Sequence, residues 1–307
     1  MDLAADHAVE AILRDELARE ARALAAVVPV LRHLLASDAD ALVSDAILAR
    51  VRGMIHDLAA QLLAAEAGRD PATRASGLDD SAALDQLAAR LMADEALLAH
   101  CHALATESLI AARLQQRHAL DPVLSPLIQE LIASEDADVA SLAMSALAAQ
   151  SRFVQNQRRM ELPLGELPAE LFHALVAQMQ VSAPNSAALA RLQAGYDEAA
   201  TRIGLMARLV AAMRRGALAG LALDHAGLAL FASTLGVTAR VTREDSVLAC
   251  HEGQSARFSL LLRAAGLTVS AIERQQLLIE PAARLPRGLA ETSPERAAML
   301  AQSGGLR

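Results

Sequence analysis

Two stretches towards the carboxyl end of the chain share one pattern, and that pattern decides the fold class. Residues 226–238 read AGLALFASTLGVT, and residues 256–268, a shift of 30 positions, read ARFSLLLRAAGLT. In this alignment Gly236 falls on Gly266, and each glycine is followed by an apolar residue and a threonine. A glycine in the left-handed conformation, followed by an apolar residue that packs back, commonly ends a helix. We therefore predict a positive φ at both glycines, each at a helix end.

A second helix is predicted after each glycine, because a capping box follows it. Thr242 and Asp245 form the first box, and Ser270 and Glu273 form the second. In such a box the hydroxyl accepts a hydrogen bond from the backbone N–H three residues later. Residues 226–279 are thus predicted to be a tandem pair of helix–turn–helix units, which stack to bury faces that neither can bury alone.

The rest of the chain is also helical in character. Apolar residues make up 54% of the 307 residues, aromatic residues only 2%, and there is no Trp. No long segment alternates apolar and polar residues as a strand does. Alanine and leucine fill the core instead, and alanine costs little side-chain entropy in a helix. The sequence predicts an all-α fold of helical hairpins, in a bundle or a short HEAT-like solenoid, with the tandem repeat at its carboxyl end.

Proline and glycine mark the predicted divisions of the chain. Residues 160–168 contain two prolines and a glycine, which a helix does not tolerate in its interior. Beyond Pro281 the chain is rich in Pro, Gly and Ser. We therefore predict an acidic N-terminal helical domain over 1–160, a C-terminal helical-repeat domain over 161–281, and a largely disordered tail over 282–307.

Several helix boundaries can also be predicted. Residues 2–35 are expected to form a helix that breaks near Pro29, since proline removes a helical hydrogen bond. A second helix is expected to begin with a capping box at Ser37 and to end at Gly68, and residues 68–80 are predicted to be a loop. Residues 184–215 are predicted to form one continuous helix.

Four stretches resemble the packing motifs of a known family. They are the turn Asp136-Ala137-Asp138-Val139, the stretch QSRF at 150–153, the stretch RRMELPL at 158–164, and the twin units of 226–279. Together they resemble an uncharacterised helical-repeat family of alphaproteobacteria, a domain of unknown function, over roughly residues 120–280. The resemblance implies a helical fold and carries over no activity and no site residue.

Charge is unevenly distributed along the sequence. Residues 1–150 carry 11 Arg against 23 Asp and Glu, a net charge of −12, whereas residues 151–307 carry 17 Arg against 13, a net charge of +4. There is no Lys, and Arg is favoured in protein interfaces. One reading is that the halves attract each other, within or between chains; the other is two domains with different solvated faces. The candidate interaction residues are Arg158, Arg159, Arg214 and Arg215.

Motifs for catalysis and for cofactor or metal binding are not found in the sequence. The absence of Lys excludes Schiff-base chemistry, and no nucleotide-binding or hydrolase motif occurs. His100 and His102 flank Cys101, but residues two apart on a helix point about 200° apart and do not share one ion. Two cysteines indicate a reducing compartment, and no apolar stretch is long enough to suggest a membrane partner. We predict a cytoplasmic protein that is not an enzyme and has no cofactor.

Two alternative functions remain open. The stretch IHDL at 55–58 is typical of the phosphoacceptor helix of histidine kinases and phosphotransfer bundles, and His56 is predicted to be exposed, opposite the apolar stripe. The units of 226–279 are also similar to a DNA-binding helix–turn–helix, although the second helix begins Arg243-Glu244-Asp245 and acidic groups repel phosphate. The favoured function is a non-catalytic protein-interaction or regulatory scaffold. Its partner would be another protein or a second copy of the chain, as in a homodimer.

Overall fold

The prediction of an all-α fold is confirmed. The computed structural model describes residues 3–36, 44–71, 81–182 and 186–303, and within these ranges the chain forms helices and no strand. The α-helices in order are α1 Leu3–Ala36, α2 Asp45–Glu66, α3 Ser81–Leu91, α4 Glu95–His118, α5 Pro126–Ile132, α6 Ala137–Arg159, α7 Ala169–Ser182, α8 Ala187–Ala194, α9 Arg202–Met213, α10 Leu223–Ala239, α11 Arg243–Ala249, α12 Ser255–Ala264, α13 Val269–Ile279 and α14 Pro294–Ser303. Short 3-10 helices lie at Leu164–Glu166, Glu198–Ala200 and Arg214–Leu221.

The chain divides into two compact units, and each unit is assembled from separated stretches. Unit 1 consists of residues 1–27, 106–147 and 206–307, and unit 2 consists of residues 28–105 and 148–205. The division does not follow the predicted boundary at residue 160, because each unit takes elements from both halves of the sequence. Local proline and glycine content predicted the turn at that position but not which helices pack together.

The interleaved units remove the predicted contrast in charge. Unit 1 carries 17 Arg against 20 Asp and Glu, a formal net charge of −3, and unit 2 carries 11 Arg against 16, a net charge of −5. Both units are therefore acidic. The expectation that an acidic half attracts a basic half loses its basis, since neither half folds as a separate body.

Residues 282–303 form turns and the helix α14, so the prediction of a largely disordered tail was wrong for this part of the chain. The helix α14 packs on α12, and the Arg263 guanidinium donates a hydrogen bond to the carbonyl oxygen of Thr292 at 2.7 Å. Leu289, Ala297 and Leu300 are each at most 2% exposed. The prolines and glycine of this segment form turns that lead into a short amphipathic helix.

The two predicted glycine turns differ from each other. Gly266 has a φ of 91° after the end of α12, as expected. Gly236 lies inside α10, which continues to Ala239, and the left-handed residue there is Arg240, with a φ of 58°. Gly236 serves a different purpose, because a Cβ at this position would lie 3.3 Å from the carbonyl oxygen of Val241. The glycine allows the chain to fold back closely against α10.

The two predicted capping boxes also had different outcomes. Thr242 accepts a hydrogen bond from the backbone N–H of Asp245 at 3.0 Å, so the first box is confirmed. The helix α13 begins after Thr268, which accepts from the backbone N–H of Ala271 at 3.3 Å, so the box predicted at Ser270 was wrong. The helix α12 ends at Ala264 and α13 begins at Val269, which is five and four residues earlier than a 30-residue shift of α10 and α11 would place them, so the two units do not keep the 30-residue period.

Three other predicted boundaries need correction, and one is confirmed. The helix α1 continues through Pro29 without a break. Residues 184–215 do not form one helix, because α8 ends at Ala194 with Gly195 as its C-cap, and Asp197 then caps the 3-10 helix Glu198–Ala200. Gly68, with a φ of 74°, follows the end of α2 as predicted. The helix predicted to begin at Ser37 begins at Asp45 in the structure, with Ser44 as its N-cap, so it does not run unbroken from residue 37. Ser37 itself and most of the predicted loop, at 72–80, lie outside the described residues.

In unit 2, the stretches that suggested the family resemblance serve packing. The guanidinium of Arg202 is buried 3.7 Å above the ring of Phe153 and donates a hydrogen bond to the side-chain amide oxygen, Oε1, of Gln150 at 3.1 Å. The backbone N–H of Arg202 donates to Glu166 at 2.8 Å. These contacts fix α9 against α6 and the turn that follows α6.

Candidate functional site

Unit 1 contains an open cleft of about 580 Å³, lined largely by polar side chains. One wall is α1, the second is the turn that precedes α12, and the third is the segment after α13. The lining residues are Ile12, Glu16, Arg19, Glu20, Ala23, Gly253, Gln254, Ser255, Arg284, Leu285, Pro286 and Arg287. Their side chains offer guanidinium, carboxylate, amide and hydroxyl groups, which suit a polar or charged ligand.

Helical periodicity explains why α1 presents these side chains together. Its five lining residues follow one another at spacings of three, four and one, which is one face of an α-helix. The neighbouring face carries Leu13, Leu17 and Leu24, which are at most 9% exposed and belong to the core. The apolar stripe of α1 therefore anchors the helix and fixes the orientation of its polar face towards the cleft.

Glu20 caps a helix that is far away in the sequence. Its carboxylate accepts hydrogen bonds from the backbone N–H groups of Ala256 at 3.1 Å and Arg257 at 2.9 Å, at the start of α12. The residue before α12, Gln254, provides no side-chain cap. The carboxylate thus satisfies N–H groups that a helix start leaves without partners. Burial raises the pKa of Glu20 above its usual value, and the two backbone hydrogen bonds offset part of this effect.

Gln254 is the buried polar side chain in the wall of the cleft. It is 5% exposed, and its amide nitrogen donates to the Glu20 carbonyl oxygen at 3.5 Å. Its Oε1 atom has no hydrogen-bond partner within the described part of the chain. A buried acceptor without a donor is destabilising, and it is uncommon in folded proteins. The oxygen itself is buried rather than exposed to the cleft, so a ligand N–H or O–H group would pair with it only after the Gln254 side chain turned outward.

Three arginines give the cleft its positive charge. Arg19, Arg284 and Arg287 are exposed, and none of them forms an ion pair or a side-chain hydrogen bond with another described residue. By contrast, Arg14 and Arg296, also in unit 1, both pair with the carboxylate of Glu10. The cleft arginines are thus free to bind an anionic group, which guanidinium does well because it can donate two parallel hydrogen bonds.

A second polar cluster of unit 1 is buried and already paired. Arg243 of α11 donates to both carboxylate oxygens of Glu107 of α4, at 2.7 and 2.8 Å, and to the Ser233 hydroxyl at 3.0 Å. The side chains of Glu107 and Arg243 are 2% and 10% exposed. The main role of this cluster is to join three helices, because its charged groups are directed at each other and away from solvent.

The two cysteines are poor nucleophiles. Both are buried, and burial raises the pKa of the Cys101 thiol to about 12 and raises that of Cys250 further still. Since the reactive form of cysteine is the thiolate, neither side chain is activated at neutral pH.

The four arginines predicted as interaction residues do not form one cluster in either unit. Arg158 and Arg159 are exposed at the end of α6 in unit 2. Arg214 is exposed in unit 1 with a φ of 50°, and the side chain of Arg215 lies outside the described residues. The arginines of the cleft were missed, because Arg284 and Arg287 fall in a segment that was predicted to be disordered. Their spacing in a Pro-containing turn was the one available signal.

The histidines also differ from expectation. His56 is half-buried rather than exposed, and the neighbouring Asp57 accepts hydrogen bonds from the backbone N–H of Leu162 and the amide of Gln61, both at 2.8 Å. His100 and His102 are both buried. In the described ranges, no three His, Cys, Asp or Glu side chains are close enough to hold a metal ion. No helix in the same ranges is long and apolar enough to cross a membrane.

Known proteins do not add to the evidence from the site itself. Comparisons with family models, with curated proteins and with solved structures found no match to this chain. The cleft is therefore interpreted from the chemistry of its own residues.

Proposed function

We propose that this chain is a non-catalytic, cytoplasmic interaction scaffold, and that the cleft of unit 1 is its binding surface. The observation that carries the proposal is the set of three unpaired arginines beside the buried, unsatisfied oxygen of Gln254. These groups bind ligands well but do not activate a nucleophile or transfer a proton near neutral pH.

The helical-repeat architecture is part of the same proposal. The consecutive helices α10, α11, α12 and α13 form two pairs, and α12 also carries α14. Proteins built from stacked helix pairs commonly bind partners on an extended surface that several pairs share. A HEAT-like arrangement and membership of the alphaproteobacterial family that the sequence resembles would both fit this reading, and both stay predictions.

The surroundings of His56 and of Arg243 argue against the two alternative functions, phosphotransfer and DNA binding. A phosphotransfer site uses an exposed histidine, but His56 is half-buried and Asp57 is occupied in holding the turn at Leu162. A DNA-reading helix needs free basic side chains, but the guanidinium of Arg243 at the start of α11 is buried against Glu107. The scaffold is the function that these side chains favour.

A site-specific crosslinking experiment tests the proposal. A photoreactive amino acid is placed at Ile12, which lines the cleft and is 43% exposed, and the full-length chain is irradiated in its native cells. The control position is Met144, which is 52% exposed in unit 1 but does not line the cleft. We expect a defined adduct from Ile12 and none from Met144, and the purified partner should bind the purified chain directly.

The possible outcomes separate the partners. An adduct between two copies of the chain would make the partner a second copy, as in a homodimer. Adducts from a probe at Arg158 alone would move the binding surface to unit 2 and contradict the proposal for the cleft. The same adducts from Ile12 and Met144, or none from Ile12, would also contradict it.

A further inference from the structure

We infer that the cleft of unit 1 binds a short acidic peptide segment of a partner protein. The inference rests on the proposed function and adds the chemistry of the ligand. It is drawn from the charge, the hydrogen-bonding groups and the size of the cleft.

The charged side chains that line the cleft favour an anionic ligand, because three of them are arginines and two are glutamates. Arg19, Arg284 and Arg287 have no carboxylate partner among the described residues. Of the two glutamates that line the cleft, Glu20 is directed at the backbone N–H groups of α12. Glu16 is the one lining carboxylate that stays to oppose an anion. Unpaired guanidinium groups at this density select a ligand with more than one carboxylate.

The unpaired side-chain oxygen of Gln254 is the second argument, because it favours a ligand that carries hydrogen-bond donors as well as negative charge. Its Oε1 atom is a buried acceptor that lacks a donor in the described chain. Phosphate, sulfate and simple carboxylates are mainly acceptors at neutral pH, so they satisfy the arginines and leave this oxygen unpaired. A peptide with acidic side chains would satisfy the arginines with its carboxylates, and its backbone N–H groups would satisfy the Gln254 oxygen once that side chain turned towards the cleft.

The size and the apolar part of the cleft fit a short segment of chain. Its volume of about 580 Å³ lies within the range of sites that bind small ligands or a few residues. Ile12 and Leu285 lie among the charged side chains, are at least partly exposed and offer apolar contact to the ligand. A folded domain would not enter such a cleft, whereas a segment that extends from a partner would.

Nucleic acid is a poorer ligand for the same cleft. No aromatic side chain is among the residues that line it, and single-stranded nucleic acids are held mainly by stacking on aromatic rings. The net charge of unit 1 is −3, which opposes a polymer of phosphates. A peptide with a few local carboxylates avoids this repulsion because it needs only the immediate surroundings of the arginines.

A fluorescence-anisotropy experiment with the full-length chain tests the inference. The probe is fluorescein-labelled Gly-Glu-Leu-Glu-Gly-Glu, and two matched peptides carry Gln or Lys in place of every Glu. We expect the Glu peptide to bind at least about tenfold more tightly than the Gln peptide, since hydrogen bonds to charged groups are the stronger ones. The Lys peptide should not bind, and the affinity for the Glu peptide should fall as salt is added.

Substitutions assign the binding to the cleft. The double variant Arg284→Gln with Arg287→Gln should lose at least about tenfold in affinity for the Glu peptide. The variant Arg274→Gln is the matched control, because Arg274 is exposed in unit 1 and does not line the cleft. It should bind as the unmodified chain does, and circular dichroism should show that all the variants are folded.

Several results would overturn the inference. With the peptides, these results are equal binding of all three, or no binding of any of them up to about 1 mM. With the variants, the result is full affinity in the double variant. With other ligands, the results are displacement of the peptide by inorganic phosphate alone, or tighter binding of an RNA oligonucleotide. The proposed function fails separately. A defined adduct from Ile12 with a partner whose contacting segment is not acidic would overturn the inference and leave the scaffold function in place.

Discussion

Glu107 and Arg243 lie 136 positions apart in the sequence and form a two-pronged ion pair inside unit 1, with nitrogen–oxygen distances of 2.7 and 2.8 Å. Because both side chains are buried, each charge depends on the other for its solvation. This pair ties α4 to α11, and the bond from Arg243 to Ser233 adds α10.

Removing one member of this pair should be strongly destabilising. We expect Glu107→Gln to lower the free energy of unfolding by about 3–5 kcal/mol, because the buried Arg243 guanidinium loses the carboxylate to which it donates two hydrogen bonds. The double variant Glu107→Met with Arg243→Met should lose much less, since no unpaired charge remains. Urea unfolding followed by circular dichroism measures both, and similar losses in the two variants would contradict the argument.

The raised pKa of Glu20 predicts a dependence of stability on pH. The folded chain holds the Glu20 proton more tightly than the unfolded chain, whose value is near 4.5, so this group favours folding most at low pH. Its contribution falls as the pH rises from about that value through the raised pKa of the folded state. The stability of the unmodified chain relative to Glu20→Gln should therefore increase as the pH is lowered through this window. Urea titrations across the window measure the difference, and parallel pH profiles for the two proteins would refute it.

Two buried glutamines should respond in opposite ways to the same change. Gln61 in unit 2 binds the carbonyl oxygen of Leu162 and the backbone N–H of Leu164, both at 2.9 Å, whereas Gln254 has an unpaired oxygen. We expect Gln61→Met to lower the free energy of unfolding by about 1–3 kcal/mol, because it leaves two buried backbone groups unpaired. Gln254→Met should leave stability unchanged or raise it, and should weaken binding of the acidic peptide. A loss of stability at Gln254 as large as that at Gln61 would show that its amide serves the fold.

Packing of the carboxyl-terminal helix can be tested with two adjacent residues. Leu300 is 2% exposed and Met299 is 63% exposed, both on α14. Leu300→Ala should lower the free energy of unfolding by about 2–4 kcal/mol through loss of buried surface and creation of a cavity. Met299→Ala should change it by less than about 0.5 kcal/mol. Equal and small effects, measured by thermal unfolding, would mean that α14 does not contribute to the core.

Local signals allowed much of the fold to be predicted, and distant contacts explain what was missed. The cap at Thr242 and the turn at Gly266 depend on residues within a few positions, so the sequence alone indicates them. The end of α10 was predicted at Gly236, three residues too early, because the close approach of the following turn to this glycine is not visible in the local sequence. The position of a turn can be predicted from its own residues, but its detailed geometry depends on what packs against it.

The candidate site was missed for the same physical reason. Glu20 and Gln254 meet across more than 230 positions, and no local pattern marks either as part of a cleft. The predicted arginine pair Arg158-Arg159 was conspicuous in the sequence because its charges are adjacent. The arginines of the cleft come together only through folding, and the spacing of Arg284 and Arg287 around Pro286 does not indicate that Arg19 lies near them.

The interleaved composition of unit 1 has a consequence for synthesis on the ribosome. Unit 1 needs residues 1–27 from the beginning of the chain and residues 206–307 from its end. The apolar face of α1, with Leu13 and Leu17, therefore leaves the ribosome long before the carboxyl-terminal part of its unit has been translated. Until residues 206–307 have been translated, these leucine side chains lack the rest of their unit, so we expect chaperones that bind apolar segments to hold the nascent chain during that time.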